Sequence, residues 1–422
     1  MKNFFTLFLL LSSTFTLSSQ LSFENIDISK FRYADARFRS LDLNLYQAAN
    51  TNHFDNFNFD NSRNSNFNFN GGLNSYNFRN TRRLQQNSNF GFNFFSQKTS
   101  ERSTFDHNIS LNWRLESRHY RGNKFWEIAP SIGSNSDISN HATVNLSLGL
   151  KRGKGRLEPV DDVYLLRWIA KDLEEEGIST SDWNEETIFD LANKINIINN
   201  YRLFDSRRQI KTQLKDASLL IGDQLGDQNL NVYATVFDNF TGSIRGNRQE
   251  GIRKAFGLRP YYFRAFRGQR LDPNFFGLEL SADYLQSKNT SLNFQKIREV
   301  KVGIDYRSSQ NYVSFDNYNT LSPFISGLLA YDYFPNSRTS IRGQAGVRLG
   351  AEYSVLNPSG TANFSGFSYE ASMGLSANYF INYQTRLRFS VSFGFNGLTN
   401  NGRYEDYFAG FSNQLTFLHS FY

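Results

Sequence analysis

The sequence predicts a mainly β protein, a closed antiparallel transmembrane β-barrel of about 14 strands (roughly 12 to 16 acceptable), interrupted by an inserted α-helical periplasmic segment. Three observations predict it. Long runs alternate apolar and polar residues, the N-terminal stretch has secretory order, and one internal segment changes its apolar spacing from two to three and four.

The chain opens with "MKNFFTLFLLLSSTFTLSSQ". Lys2, an apolar core from Phe4 to Leu11 and small residues at Ser18 and Ser19 read as a signal peptide over residues 1–20. No later window approaches the roughly 18 apolar residues of a spanning helix. The 422 residues include no cysteine, which removes disulfides and Cys-ligated metal. Hydrophobic residues make up only 39%, yet there are 42 Phe and 22 Tyr, and many of these recur at strict intervals. That regularity argues against disorder.

In "FDHNISLNWRLES", Phe105, His107, Ile109, Leu111, Trp113 and Leu115 alternate with polar neighbours. Val144, Leu146, Leu148 and Leu150 repeat the pattern, as do Leu387, Phe389, Val391, Phe393 and Phe395. Ile341, Ala345, Val347, Leu349 and Tyr353 oppose Arg342, Gln344, Arg348 and Glu352. A tilted strand crossing a bilayer needs roughly 9 to 11 residues, whereas soluble strands run about 5 or 6, so these lengths favour a membrane barrel over a soluble β-sandwich. Strands are expected near 67–79, 84–95, 105–119, 124–134 and 140–151, then near 254–266, 274–287, 291–307, 322–333, 338–355, 363–380, 385–396 and 407–422. An even total places a first strand in "RSLDLNLYQ" or "HFDNFNFD".

From about Gly153 the spacing becomes helical: Val163, Leu166, Ile169, Ala170 and Leu173; Ile188, Leu191, Ala192, Ile195 and Ile198; Ile210, Leu214, Ala217 and Ile221. Asp182 with Glu185 fits a capping box, and Asp205 suits a third cap. A fourth helix in "LNVYATVFDNF" would present Leu230, Tyr233, Phe237 and Phe240 on one face, although alternation also fits part of that run. The expected organisation is therefore residues 1–20 signal peptide, 21–152 N-terminal barrel part, 153–245 insertion and 246–422 C-terminal barrel part. Short turns such as "RGN" belong on the periplasmic side, which places the helices there too.

"GKGRLEPVDD" (Gly153 to Asp162) and "LANKINIINNYRLFDSRR" (Leu191 to Arg208) together resemble a group of uncharacterised Gram-negative outer-membrane β-barrel proteins with a periplasmic helical insertion. The resemblance implies fold and location in the cell outer membrane, and carries no activity. The final strand also resembles the signal read by the outer-membrane assembly machinery. Leu415, Phe417, Phe421 and Tyr422 are the candidate residues, with Tyr422 on the opposite parity to the other three. As the closing strand it would pair with the first.

The polar face yields candidate lumen-lining residues: Arg114, Glu116, Glu279, Asp283, Lys301, Asp305, Arg342, Arg348, Glu352, Arg386 and Arg388. Mixed charge fits a porin-like channel for small polar solutes, or a closed barrel cross-linked by ion pairs. A non-conducting structural or assembly partner acting through the periplasmic helices is the alternative. A hydrolase is the remaining class. His141 and Asp106 are inward on parity near the outer rim, but without a nucleophile they make no site. No cofactor or metal is expected, and "GKG" lacks the spacing of a phosphate loop. Expected partners are outer-membrane lipid and lipopolysaccharide, the assembly machinery and a periplasmic protein; the net charge of +7 reads as scattered loop and lumen Arg, "DLEEEG" reads by default as a solvated face, and nucleic acid is not expected.

Overall fold

The structure, a computed structural model, describes residues 26–33, 35–52, 64–99, 106–137, 141–200, 206–226, 230–242, 248–267, 270–310, 317–356, 362–381, 385–400 and 403–419. The alternating segments form fourteen strands: β1 (Asp35–Asn52), β2 (Asn64–Thr81), β3 (Leu84–Thr99), β4 (Asp106–Arg121), β5 (Lys124–Asp137), β6 (His141–Pro159), β7 (Gln249–Arg267), β8 (Arg270–Asn289), β9 (Phe294–Gln310), β10 (Asn317–Asn336), β11 (Thr339–Leu356), β12 (Ala362–Phe380), β13 (Thr385–Asn400) and β14 (Arg403–His419). Every strand pairs antiparallel with its sequence neighbours in one sheet, in chain order. Between β6 and β7 lie α1 (Asp161–Glu175), α2 (Glu185–Asn200), α3 (Ser206–Leu225) and α4 (Leu230–Gly242).

The first strand is the "RSLDLNLYQ" segment, inside β1. "HFDNFNFD", the signal-peptide stretch, Asp205, Phe421 and Tyr422 lie outside the described residues. The insertion starts later than Gly153. β6 continues to Pro159 because its backbone goes on pairing with β7, from Gly153 opposite Ala255 to Pro159 opposite Gln249. The second helix is capped by Asn184 rather than Asp182: Asn184 Oδ1 accepts the Thr187 N–H at 2.9 Å, as the residue before a helix beginning at Glu185 does. On α4 the buried apolar residues are Val232, Val236 and Phe240, whereas Leu230 is 78% exposed and Tyr233 and Phe237 also face out. Packing against the other helices selects the valine stripe over the larger aromatic one. Among the described residues no hydrogen-bonded ladder joins β14 to β1, although their Cα atoms come within 8 Å.

Burial on the sheet is inverted relative to a soluble protein. Along β8, Phe276, Leu280 and Ala282 are exposed, while Gly277, Glu279, Ser281, Asp283 and Ser287 between them are buried. β9 repeats this, with Val300, Val302, Ile304 and Tyr306 exposed on one face and Lys301, Gly303 and Asp305 shielded on the other. The sheet also curls strongly. Asn80 on β2 donates to Glu158 on β6 at 2.8 Å, and Gln85 on β3 donates to the Leu157 carbonyl at 2.8 Å, so polar-face side chains meet across strands that are not neighbours.

The apolar core sits in the helices. Val163, Leu166, Ile169, Ala170 and Leu173 of α1 are buried against Ile188, Leu191, Ala192 and Ile195 of α2, Leu214, Ala217 and Ile221 of α3, and the α4 valines. Phe31, Tyr33 and Ala36, leading into and opening β1, join the same cluster. The insertion leaves the sheet through a narrow stem. Val160 N–H donates to Arg248 O at 3.0 Å, and Arg248 N–H donates to Asp161 Oδ1 at 3.0 Å. Just above it, Gly155 (φ +89°) and Gly251 (φ +129°) occupy facing strands, and a Cβ on either would lie 2.1 or 2.2 Å from a carbonyl oxygen across the ladder. Gly155→Val or Gly251→Val is expected to abolish recovery of folded protein, read as far-UV circular dichroism and protease resistance after refolding. Gly122→Asn, at a turn with open space and φ +61°, should leave recovery unchanged.

Candidate functional site

The polar face of the wall divides into two parts. From β4 to β9 it is filled by ion pairs that alternation placed on one face and register brought into reach. Glu279 accepts from Lys301 at 2.5 Å and from Arg259 at 2.6 Å. Asp283 holds Lys151 at 2.6 Å, with Arg253 at 4.0 Å. Asp305 accepts the Tyr261 hydroxyl at 2.8 Å and has Arg307 at 3.7 Å. Glu116 is paired with Arg114 at 2.5 Å and Arg118 at 2.7 Å, and Arg118 also bonds Glu127. Each buried carboxylate is met by at least one cation, as burial of charge requires.

Along β10 to β13 the same face is more open. Arg342 donates to Asp332 at 2.6 and 2.8 Å, and beside them a recess of about 390 Å³ is lined by Ser340, Gln344, Ser376, Asn378 and Arg388. Arg348, whose guanidinium lies 4.2 Å from the Phe324 ring centroid, is solvent-exposed, as are Glu370, opposite it in register, and Arg388. Glu352 is half-buried. The side chain of Arg386 lies outside the described residues, as do those of Asp106 and His141. Leu415 and Phe417 pair in register with Phe389 and Leu387. The described imidazoles of His107 and His119 stack on Phe94 and Trp126.

The ends of the wall joined by tight turns (residues 82–83, 122–123, 337–338) carry the helices. Glu158 is the polar seat there: Arg156 lies at 2.7 Å and Arg32 at 3.5 Å, and Arg156 also donates to the Thr81 and Arg82 carbonyls at 2.6 and 3.0 Å. Above it, buried Asp162 on α1 accepts Tyr33 Oη at 2.8 Å, Asn196 Nδ2 at 3.1 Å and Asn199 Nδ2 at 3.2 Å. Burial and the adjacent Asp162 carboxylate hold the Tyr33 phenol well above its usual pKa, so it stays a donor. Arg248 lies between the rings of Tyr164 and Phe334, 3.9 Å from each centroid, and donates to Leu292 O at 2.7 Å. Its pKa is pushed down to about 10 by burial. Arg338 at the β10–β11 turn donates to the carbonyl of Asp238 on α4 at 2.8 Å and to its carboxylate. The helices thus touch the lead-in to β1, the β8–β9 turn and the β10–β11 turn.

Sequence reading missed Arg118, Glu127, Lys151, Arg253, Arg259 and Asp332, all placed on the same face by simple extension of the alternation. Glu158 and Arg156 fall within the insertion that the sequence predicts from Gly153, and nothing local marks Arg248.

No family model and no curated protein matches the chain. Among solved structures it is similar to a bacterial polysaccharide outer membrane secretin (8% identity, TM-score 0.31, covering 93% of this chain and 99% of that one). It is also similar to the CymD monoaromatic hydrocarbon channel (8%, TM-score 0.18, 93% and 90%) and to Pseudomonas aeruginosa OccK7 (OpdD) (7%, TM-score 0.18, 92% and 96%). Likeness at this level defines neither family nor function.

Glu279→Ala removes the buried anion shared by part-buried Lys301 and half-exposed Arg259 and is expected to cost about 1.5 kcal/mol in urea unfolding from detergent micelles. Arg114→Ala, whose side chain is 68% exposed, should change stability by less than about 0.5 kcal/mol. In the helices, burial raises the Asp172 carboxyl above its ordinary pKa of 3.8 against the opposing hydrogen bond from Asn239. The folded state therefore binds this proton more tightly than the unfolded chain. The resulting destabilisation is absent below about pH 3.8 and complete above the raised value. Asp172→Asn is expected to be more stable than the wild type at neutral pH, with the difference vanishing as pH falls through that window in paired urea titrations.

Proposed function

We propose that the chain is an integral outer-membrane β-barrel of a Gram-negative bacterium, a porin-like conduit for small polar solutes whose tight-turn mouth is covered by its own helices. The burial pattern carries this reading: charges are shielded and paired on one face of the sheet while Leu, Val, Ile and Phe are exposed on the other, which fits a polar lumen inside and hydrocarbon outside. Closure of β14 on β1 follows from the same environment, because an unpaired strand edge in lipid leaves backbone groups unsatisfied. The helices then lie in the periplasm, where short turns belong. Solute passes along β10 to β13, where the lumen is solvated; the β4 to β9 side is filled.

The contacts of the helices with three separate parts of the rim support a cap. As a cap, the insertion is also the surface through which a periplasmic partner would act. The terminal strand is the element offered to the assembly machinery, and outer-membrane lipid with lipopolysaccharide forms the surroundings.

Reconstituted in planar bilayers, the wild type is expected to show small, infrequent openings. Arg338→Glu, which sets carboxylate against Asp238, should give stepwise conductance several-fold larger, and Arg338→Glu with Asp238→Arg should restore the wild-type record. Correctly folded protein that stays silent in all three forms would show a non-conducting barrel.

A further inference from the structure

On the lipid side of the reading just given, on which this inference rests, one stretch of wall departs from a uniform apolar surface. A recess of about 360 Å³ lies over β5 to β8, lined on its outer side by Trp126, Ile128, Leu150, Phe256, Leu258 and Leu280. Phe256 is 68% exposed and Trp126, stacked on His119 at 4.2 Å between centroids, is 49% exposed. The lining is almost wholly apolar, and its size falls in the lower range of small-molecule sites.

Towards the tight-turn end the same face turns basic within one pleat. Arg152 sits between Trp126 and Phe256 in register, and the next outward positions are Lys124, Lys154 and Lys254. Lys124 is directly opposite Lys154, and Lys154 directly opposite Lys254. Like charges facing each other across a ladder are destabilising. Among the described residues neither Arg152 nor any of these lysines has a carboxylate partner, and the nearest carboxylate in the recess, Glu127, is buried on the opposite face against Arg118. Lys254 Nζ lies 5.5 Å from the Tyr284 ring centroid, a contact that supplies no counter-charge. An apolar recess ending in a row of cations without a carboxylate is complementary to one chemistry, an acyl chain joined to a phosphate.

We propose that this face binds an anionic glycerophospholipid of the adjoining leaflet, with an acyl chain in the Trp126–Phe256 recess and the phosphodiester on Arg152, Lys154 and Lys254. Bound phosphate supplies the counter-charge that the lysine row lacks, so the lipid also stabilises the β5 to β7 ladder beside the stem of the helical insertion.

The test uses the full chain refolded in detergent and titrated with phosphatidylglycerol or phosphatidylcholine carrying brominated acyl chains. Trp126 quenching is taken as the difference between wild type and Trp126→Phe. Phosphatidylglycerol is expected to quench at about a hundredfold lower mole fraction than phosphatidylcholine, given three basic residues at roughly 1 kcal/mol each at an anionic surface. It should also raise the thermal unfolding temperature. In Lys154→Gln/Lys254→Gln, exposed positions whose loss relieves repulsion, both the preference and the lipid-dependent rise should disappear while the lipid-free protein is at least as stable as wild type. Equal quenching by the two lipids would overturn the site but leave a lipid-facing wall. Absence of quenching by either lipid in folded protein would overturn the wall reading as well.

Discussion

The rest of the structure depends on the backbone ladder. Each of β2 to β13 pairs with its two sequence neighbours, and β1 and β14 with one each, in an unbroken antiparallel order from β1 to β14. Because pleating sends successive side chains to opposite faces, that ladder turns the alternation of the sequence into one apolar and one polar surface. Charges lie on the shielded face and aliphatics on the exposed one, the reverse of the arrangement in a soluble domain. Among the described residues the larger apolar core lies in the helices, and the sheet holds only a small cluster of Tyr120, Phe125 and Ala255.

Placing charge on the shielded face has a cost that the wall meets unevenly. Between β4 and β9, carboxylates are taken out of water and held by cations, some from the same strand, as Glu116 is by Arg114 and Arg118, and others from strands one or two away, as Asp283 is by Lys151. Such pairs roughly offset their own desolvation and gain their value from geometry, since the loss of one partner strands the other. Along β10 to β13 Arg348 and Arg388 stay exposed and need no partner to be tolerated there, while buried Asp332 is held by Arg342. The polar face therefore combines a cross-linked part with a more solvated part.

The helices are tied to this wall through a stem closed, among the described residues, by the Val160–Arg248 and Arg248–Asp161 hydrogen bonds, and through separate contacts at the rim. Arg248 joins them: its backbone closes the stem, while its guanidinium, between Tyr164 and Phe334, links α1 to β10. Buried between rings, a guanidinium keeps its charge through cation–π contact and one carbonyl, and its lowered pKa records how little water reaches it. The Arg338–Asp238 contact is more exposed at its carboxylate and is the weaker tie.

Alternation made the strands legible from residues alone, and so were the apolar stripes of the first three helices, because both periodicities are local properties of the chain. Parity also placed Glu279, Asp283, Lys301 and Asp305 on one face without any knowledge of partners. Register decided the pairing, since Glu279 meets Lys301 and Arg259 only after three strands align. The start of the insertion, the valine face of α4 and the seat around Glu158 likewise waited for the tertiary structure. In each case the deciding group is distant in sequence: β7 extends β6 past Gly153, the other helices bury Val232 and Val236, and Asn80 and Arg32 reach Glu158. A period of two is written into neighbouring residues, whereas a contact between β2 and β6 exists only once the sheet has curled.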